Sequence, residues 1–295
     1  MFFTPLENRG LLRISGDPAH DFLQNLVTTD LSIVDKNGAA FSGLLTPQGK
    51  IQFDFFIVKS GESYLIEVDR TVLQDLKKRL TFYRLRTKVE IDVAEQAVFA
   101  VWDSEIFHLD GALVFRDPRL DELGYRVIGQ KETVSSGLQT VGGTSATFEN
   151  YQLHRLKLGV PESSTDFSLS DIFPHDADMD ALQGVSFSKG CYVGQEIVSR
   201  MQHRGTARKR FVKLRSKAEL PEAGSDVMAD GKSVGHIGSH VKDGDTSISV
   251  ALLRLDKVRA ALDKGATITC GEAPVEVDLP AWATFDWPET TKADH

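Results

Sequence analysis

Cysteine is scarce. The 295 residues hold two, Cys191 and Cys270, with no CxxC pair and no Cys/His ligand series beside them. A structural zinc site or a self-contained four-cysteine cluster is thereby excluded, and no resident metal is expected. Long apolar runs are also missing: none approaches the roughly 18 residues that suggest a membrane span, so no membrane partner is expected. The first residues, Met1 to Arg13, show no basic stretch followed by an apolar core, and they are not rich in Arg and Ser. A cytoplasmic location is the expectation from that lack. An excess of positive charge is absent too. The net charge is −8, which argues against a broad nucleic-acid surface. No internal repeat or low-complexity tract stands out, and a monomer is favoured.

What is present is ordinary globular composition, 41% hydrophobic and 26% charged, in a chain long enough for two or three domains. Gly10 to Ile14 reads as a strand. A helix follows, with Asp17 as its expected cap, Pro18 at its first position and Phe22, Leu23 and Leu26 on its apolar face. Strands are expected at 39–45, 51–59 and 63–68, separated by the turns Pro47-Gln48-Gly49 and Ser60-Gly61-Glu62. Val72, Leu73, Leu76 and Leu80 at helical spacing predict a helix over 71–84. Further strands are expected at 88–93, 97–102, 112–116 and 125–129. Residues 135–147, small, polar and glycine-bearing, read as a loop. A helix over 148–158 and an irregular stretch over 161–181 come next.

A helix is then predicted over 191–202. After Thr206 the texture becomes short apolar runs between glycine turns, the pattern of a small all-β domain. The expected domains are 1–205, made of two α+β subdomains, and 206–295. Arg200, His203, Arg204, Arg208, Lys209, Arg210, Lys213 and Arg215 form a basic stretch, read either as a solvated helix end and loop or as a wall for an anionic ligand.

The chemistry concentrates in Lys189-Gly190-Cys191-Tyr192-Val193-Gly194-Gln195-Glu196. A thiol in a helix's first turn meets unpaired N–H groups and the positive end of the dipole, and a neighbouring lysine adds charge. These conditions favour the reactive thiolate. The glycines permit close approach of a backbone or a flat ligand. Gln195 and Glu196 require partners if buried.

This run resembles the signature of the YgfZ family of folate-binding proteins. The likeness continues through Phe173-Pro174-His175, Asp180-Ala181-Leu182, Gly184-Val185-Ser186-Phe187 and Met201-Gln202-His203-Arg204-Gly205. Phe22-Leu23-Gln24 with Thr29-Asp30, and Gly49-Lys50-Ile51 with Asp54, are similar to the opening of glycine-cleavage T proteins, the GcvT aminomethyltransferases. The resemblance implies an α+β, three-domain GcvT/YgfZ-like cloverleaf around a central folate cavity, with a small C-terminal β-barrel. It implies a tetrahydrofolate-binding protein that assists assembly or repair of [4Fe-4S] enzymes, tRNA-modifying enzymes among its clients. Cys191 would be the working thiol. Any iron–sulfur cluster would be transient and shared with a partner, since two cysteines cannot hold one.

T proteins carry an Asp-Asp pair where this chain has Phe53-Asp54, so Asp54 is a candidate base. They carry Arg-Leu-Glu-x-Gly where this chain reads Arg155-Leu156-Lys157-Leu158-Gly159. A lysine cannot accept the hydrogen bonds a pterin offers, which puts the aminomethyl reaction in doubt. The resemblance nominates Lys189, Gly190, Tyr192, Gly194, Gln195, Glu196, Arg200 and Asp30 as folate contacts. The alternatives are a tetrahydrofolate-dependent one-carbon transferase, with Asp54 as its base, and a plain folate-binding or redox-sensing module.

Overall fold

In the computed structural model, residues 1–105, 107–205 and 207–289 are described. Thr206, the expected start of the second domain, and residues 290–295 at its end lie outside the described residues. The chain divides into two compact units. One comprises Met1–Tyr151 with Leu182–Ser199, the other Gln152–Ala181 with the described residues from Arg200 onward.

The first unit runs β1 (Phe2–Pro5), β2 (Arg9–Ser15), α1 (Ala19–Gln24), α2 (Leu31–Asn37), β3 (Ala39–Leu45), β4 (Ile51–Ser60), β5 (Ser63–Asp69), α3 (Leu73–Arg84), β6 (Glu90–Ala94), β7 (Ala97–Trp102), β8 (Leu113–Arg116), β9 (Tyr125–Gly129), α4 (Lys131–Thr140) and β10 (Thr144–Ser145). Its strands form two five-stranded sheets, ordered β3-β4-β5-β2-β6 and β10-β1-β7-β9-β8. In the first sheet every pairing is antiparallel, so residues directly opposite share a face. Phe41, Phe56, Glu67 and Leu11 line up on one face. On the other face α2 packs over β3 and β4, and α3 over β2 and β6.

Glu67 is wholly buried and accepts from two arginines, Arg9 Nε at 3.0 Å and Arg126 Nη1 at 2.7 Å. Arg126 stands on β9, in the second sheet, so this carboxylate ties one sheet to the other. Arg126 also donates to Tyr151 Oη at 3.0 Å and to Asp117 at 3.3 Å, and its guanidinium lies 4.8 Å from the Phe56 ring centroid. Arg119 closes a two-pronged pair on Asp117, at 3.0 and 2.8 Å. Burial pushes the Asp117 carboxyl up, but Arg119 and Arg126 overcome it and hold the group below the ordinary carboxylate range.

Two expectations fail in this unit. The cap of α1 is Pro18, with no side-chain cap bond, so Asp17 lies one residue too early to serve. Residues 131–140, of which 135–140 were expected as loop, are helix α4. Val134 and Leu138, four apart and fully buried, supply its inner stripe. Gly137, which suggested a loop, is a packing notch: a Cβ there would come within 2.5 Å of Leu109 Cδ1.

Next come α5 (Phe148–Leu158) and α6 (Gln195–Arg204), then the strand-rich part of the second unit. That part holds β11 (Lys209–Ser216), β12 (Asp226–Ala229), β13 (Lys232–Asp243), β14 (Thr246–Arg254), α7 (Leu255–Leu262), β15 (Ile268–Cys270), β16 (Ala273–Pro274) and β17 (Glu276–Asp278). Its strands make one antiparallel sheet, ordered β16-β15-β12-β13-β14-β11-β17, around Val212, Leu214, Val227, Ile237, Leu253 and Cys270. The domain is not all-β. Helix α7 buries Leu255, Val258 and Ala261, spaced by three, into the same core.

Truncating Arg126 to Met is expected to cost about 3–5 kcal/mol, because it leaves Glu67 to Arg9 alone and removes a buried donor from Asp117 and Tyr151 at once. The surface pair of Arg116 with Asp121 is the control: Arg116→Ala should change stability by less than about 1 kcal/mol. Urea unfolding followed by circular dichroism reads both.

Candidate functional site

The segment 184–194 is fastened to the connection between α1 and α2. Thr28 Oγ1 donates to Gly184 O at 2.6 Å, and the Ser186 amide donates to Thr28 O at 2.9 Å. Lys189 completes the attachment. Its ammonium is buried and donates to the carbonyls of Gln24 (2.7 Å), Val27 (2.7 Å) and Thr29 (3.0 Å). Three N–H bonds meet three acceptors, which uses the full donor capacity of the group. Burial pulls its pKa down to about 8, while Asp30 nearby favours the charged form. Lys189 also lies 5.4 Å from the ring centroid of Tyr192. Tyr192 is itself buried, and that burial raises its phenol to about 12.

The far end of the segment is held by Gly194. Its φ is +81°, and a Cβ there would lie 2.6 Å from Thr46 O and 3.0 Å from Gly49 Cα. Gly49, at φ +80°, is equally tight against Ile197. The two glycines interlock the motif with the turn between β3 and β4. Between the anchors stand Gly190, with nothing within 4 Å of a would-be Cβ, and Cys191, whose free thiol is exposed. Phe187, 42% exposed, lies just before them.

This geometry corrects several expectations. Helix α6 begins at Gln195, so Cys191 sits in the irregular stretch before it and not in a helical first turn. The argument for thiol activation by the helix end therefore does not apply. The charge of Lys189 is directed into carbonyls, which removes it both as a neighbour activating Cys191 and as a ligand contact. Tyr192 is an interior ring and no stacking platform. Gly194 permits close approach of the chain's own backbone, not of a flat ligand. Asp30 caps α2, accepting from the Ser32 amide at 3.0 Å, and bonds with Ser32 lower its pKa. Gln195 donates its amide to Tyr192 O at 3.3 Å, while Glu196 and Arg200 are exposed on α6.

Asp54 lies on β4 opposite Gly43, half-buried. Strand alternation sends Phe53 and Phe55 to the opposite face, so of the flanking phenylalanines only Phe56 shares its side. The same β3–β4 hairpin thus carries Asp54 on its strand and grips Gly194 at its turn.

Sequence reasoning missed the structural work of neighbouring charges in the second unit. Arg210, counted in the basic stretch, is buried and donates to Asp180 at 2.6 and 2.9 Å and to His175 O at 2.7 Å. Asp178 is fully buried and accepts from the Phe211 amide at 3.1 Å; burial raises its carboxyl well above the ordinary value. His175 Nε2 meets Gln202 Oε1 at 3.0 Å. The available signal was the crowding of His175, Asp178 and Asp180 in a stretch without periodicity. Arg155, also fully buried, binds Asp166 at 2.6 Å and Ser239 at 2.8 Å. Lys157, two residues on, pairs at the surface with Asp243 at 2.7 Å. Among the described residues, no group of three or more His, Cys, Asp or Glu side chains is arranged to hold a metal ion.

Comparison with known proteins locates the chain. Residues 208–285 match the family model described as CAF17, C-terminal beta-barrel domain. The Homo sapiens protein named iron-sulfur cluster assembly factor IBA57, mitochondrial, is 29% identical over 316 residues, covering 97% of this chain and 85% of that protein. The IBA57 homolog of Pyricularia oryzae is 34% identical over 221 residues, covering 71% of this chain and 56% of its own length. The Neurospora crassa homolog is 32% identical over 231 residues, covering 71% and 52%. The chain therefore spans about half the length of these fungal relatives. Among solved structures, the glycine cleavage system aminomethyltransferase T of Bartonella henselae superposes with a TM-score of 0.75 at 14% identity, covering 95% of this chain and 86% of that one. The fold is that of the aminomethyltransferase, as expected. The cytoplasmic expectation is overturned, since these relatives are named as mitochondrial. It rested on a missing leader, and such an absence carries no address.

Gly194→Ala should destabilise by about 2–4 kcal/mol, from the left-handed backbone and the contact with Thr46 O. Gly190→Ala should fall within about 0.5 kcal/mol of the parent, as an exposed site with free space does. Thermal unfolding of the two variants side by side checks the pair.

Proposed function

We propose that this chain, a relative of the IBA57 proteins with a CAF17-type C-terminal domain on the aminomethyltransferase fold, assists assembly of iron–sulfur clusters through Cys191. The observation that carries this reading is the exposed thiol at the crest of a segment anchored on both sides. Cys270 is fully buried in the second unit's core, where burial raises its pKa. One sulfur is thus available to a partner. A thiolate at this crest can ligate iron or attack a partner's disulfide or persulfide, and the remaining cluster ligands come from the partner.

Tetrahydrofolate fits the nominated residues poorly. Lys189, Tyr192, Gly194 and Asp30 are all engaged within the protein. Of the nominated contacts, Gly190, Glu196 and Arg200 are exposed. Nor does any observation favour a one-carbon transferase: Lys157, at the position of the T-protein glutamate, is a surface residue paired with Asp243.

Cys191→Ala is expected to reduce the activity of client iron–sulfur enzymes in cells to the level of cells lacking the protein, while Cys270→Ala retains it. Full activity with Cys191→Ala would refute the thiol reading. Folate is tested separately by thermal shift. Tetrahydrofolate at about 100 times its dissociation constant adds roughly 2.7 kcal/mol to a protein that binds it. A flat titration removes folate from the account and leaves the thiol reading standing.

A further inference from the structure

Helix α3 presents a second surface that owes nothing to Cys191. Its inner face is set by Leu73, Leu76 and Leu80, all buried. At about 100° per residue, Phe82 lies roughly 200° from Leu80 and points away from the sheet. Lys78 and Phe82, four apart, share this outward face, and Leu85 follows just past the helix end. Phe82 is 69% exposed and Leu85 is 84% exposed, the two most exposed large hydrophobic residues among those described.

Leu85 violates two local rules at once. It closes α3 at φ +47°, ψ −107°, a positive-φ conformation that residues other than glycine rarely adopt. A side chain there costs on the order of 1–3 kcal/mol of backbone strain. The leucine does not recover that by burial, because its side chain stands in solvent. A folded state gains nothing from this residue.

The surroundings of this helix end have a definite charge. Between Leu76 and Val89 the sequence holds six basic residues, Lys77, Lys78, Arg79, Arg84, Arg86 and Lys88, and no acid, within a chain of net charge −8. Lys78, Arg86 and Lys88 are exposed, while Lys77 and Lys78 pair with Asp92 at 3.9 Å and Asp75 at 3.2 Å. Arg86 and Lys88 form no ion pair among the described residues. Two apolar side chains thus stand in solvent at a helix end flanked by basic residues.

We propose that the C-terminal end of α3 and the turn after it dock on an anionic lipid surface, with Phe82 and Leu85 entering the headgroup layer and the flanking lysines and arginines bound to lipid phosphates. Charge complementarity selects an acidic occupant. The exposed side chains select lipid over protein: they fit a soft layer at any register, whereas a protein partner needs a matched groove for each. Each basic residue near an anionic surface contributes about 1 kcal/mol, and the apolar tips add to it as interfacial anchors. Such docking needs no span, and no described helix is long and apolar enough to cross a membrane. It revises the expectation of no membrane partner, which considered spans only.

The test is co-sedimentation of the full chain with vesicles of phosphatidylcholine alone or mixed with phosphatidylglycerol. Binding is expected to the mixed vesicles at low salt and to weaken at about 0.5 M salt, where charges are screened within a few ångströms. The double variant Phe82→Ser, Leu85→Gly should lower partitioning at least tenfold. Leu85→Gly alone should unfold at an equal or higher temperature than the parent, since glycine suits the backbone; that separates lost docking from lost folding. Arg86→Glu with Lys88→Glu should abolish the preference for phosphatidylglycerol. A parent chain that stays in the supernatant with mixed vesicles overturns the proposal. So does retention on polyglutamate without vesicle binding, which would assign the patch to an acidic protein. Variants that sediment like the parent overturn it as well.

Discussion

The carboxylate of Glu67 is the point on which the first unit turns. It is buried between Arg9 of its own sheet and Arg126 of the other, so losing either arginine leaves this carboxylate with a single cation in a medium that solvates it poorly. Arg126 in turn orients Asp117, Tyr151 and the Phe56 ring. Counting Arg119, five ionised groups share this space with an excess of one positive charge, and Tyr151 and Phe56 supply the remaining electron density. Such a network adds little to net stability relative to apolar packing. What it sets is registry: Glu67 opposite Phe56 fixes which face of β4 meets the second sheet.

That choice propagates. With Phe56 inward, alternation puts Asp54 on the same side and Phe53 and Phe55 on the other. The hairpin then delivers its turn, Thr46 to Gly49, to the place where Gly194 meets it at backbone distance. The opposite end of the motif is settled by Lys189 and its three carbonyls. The labour within the eight-residue motif is therefore divided. Lysine, tyrosine and the second glycine hold; the first glycine and the cysteine are left outward.

Strand and helix positions were legible wherever period and punctuation agreed. Residues 39–45, 97–102, 125–129 and 148–158 carry the expected elements at the expected bounds. Residues 131–140 were obscured because Gly137 and its serines look like loop, and the reason they are not is a contact with Leu109, far from them in sequence. The motif was legible as a segment, and the burial of its lysine was not. The partners of Lys189 are backbone carbonyls 160 to 165 residues away, and a carbonyl leaves no trace in residue type. Only the fold brings them to one point. The basic residues were ambiguous for the same reason. Arg210 disappears among carboxylates, whereas Arg86 and Lys88 stay in solvent, and a count of charges treats them alike.

The role of Lys189 also alters what kind of thiol Cys191 is. A cysteine activated by its surroundings reacts with whatever small electrophile reaches it, and its specificity must come from a pocket. Cys191 has neither a helix start nor a free ammonium beside it. It has position: a crest with no side chain on Gly190, an exposed aromatic at Phe187, and anchors on both sides that limit where the sulfur travels. Position favours a partner that brings its own chemistry, such as a metal centre that lowers the thiol pKa on contact or a second sulfur that is already activated. On the proposed reading the reactivity belongs to the encounter, and the chain's share is to hold one sulfur where another protein can reach it.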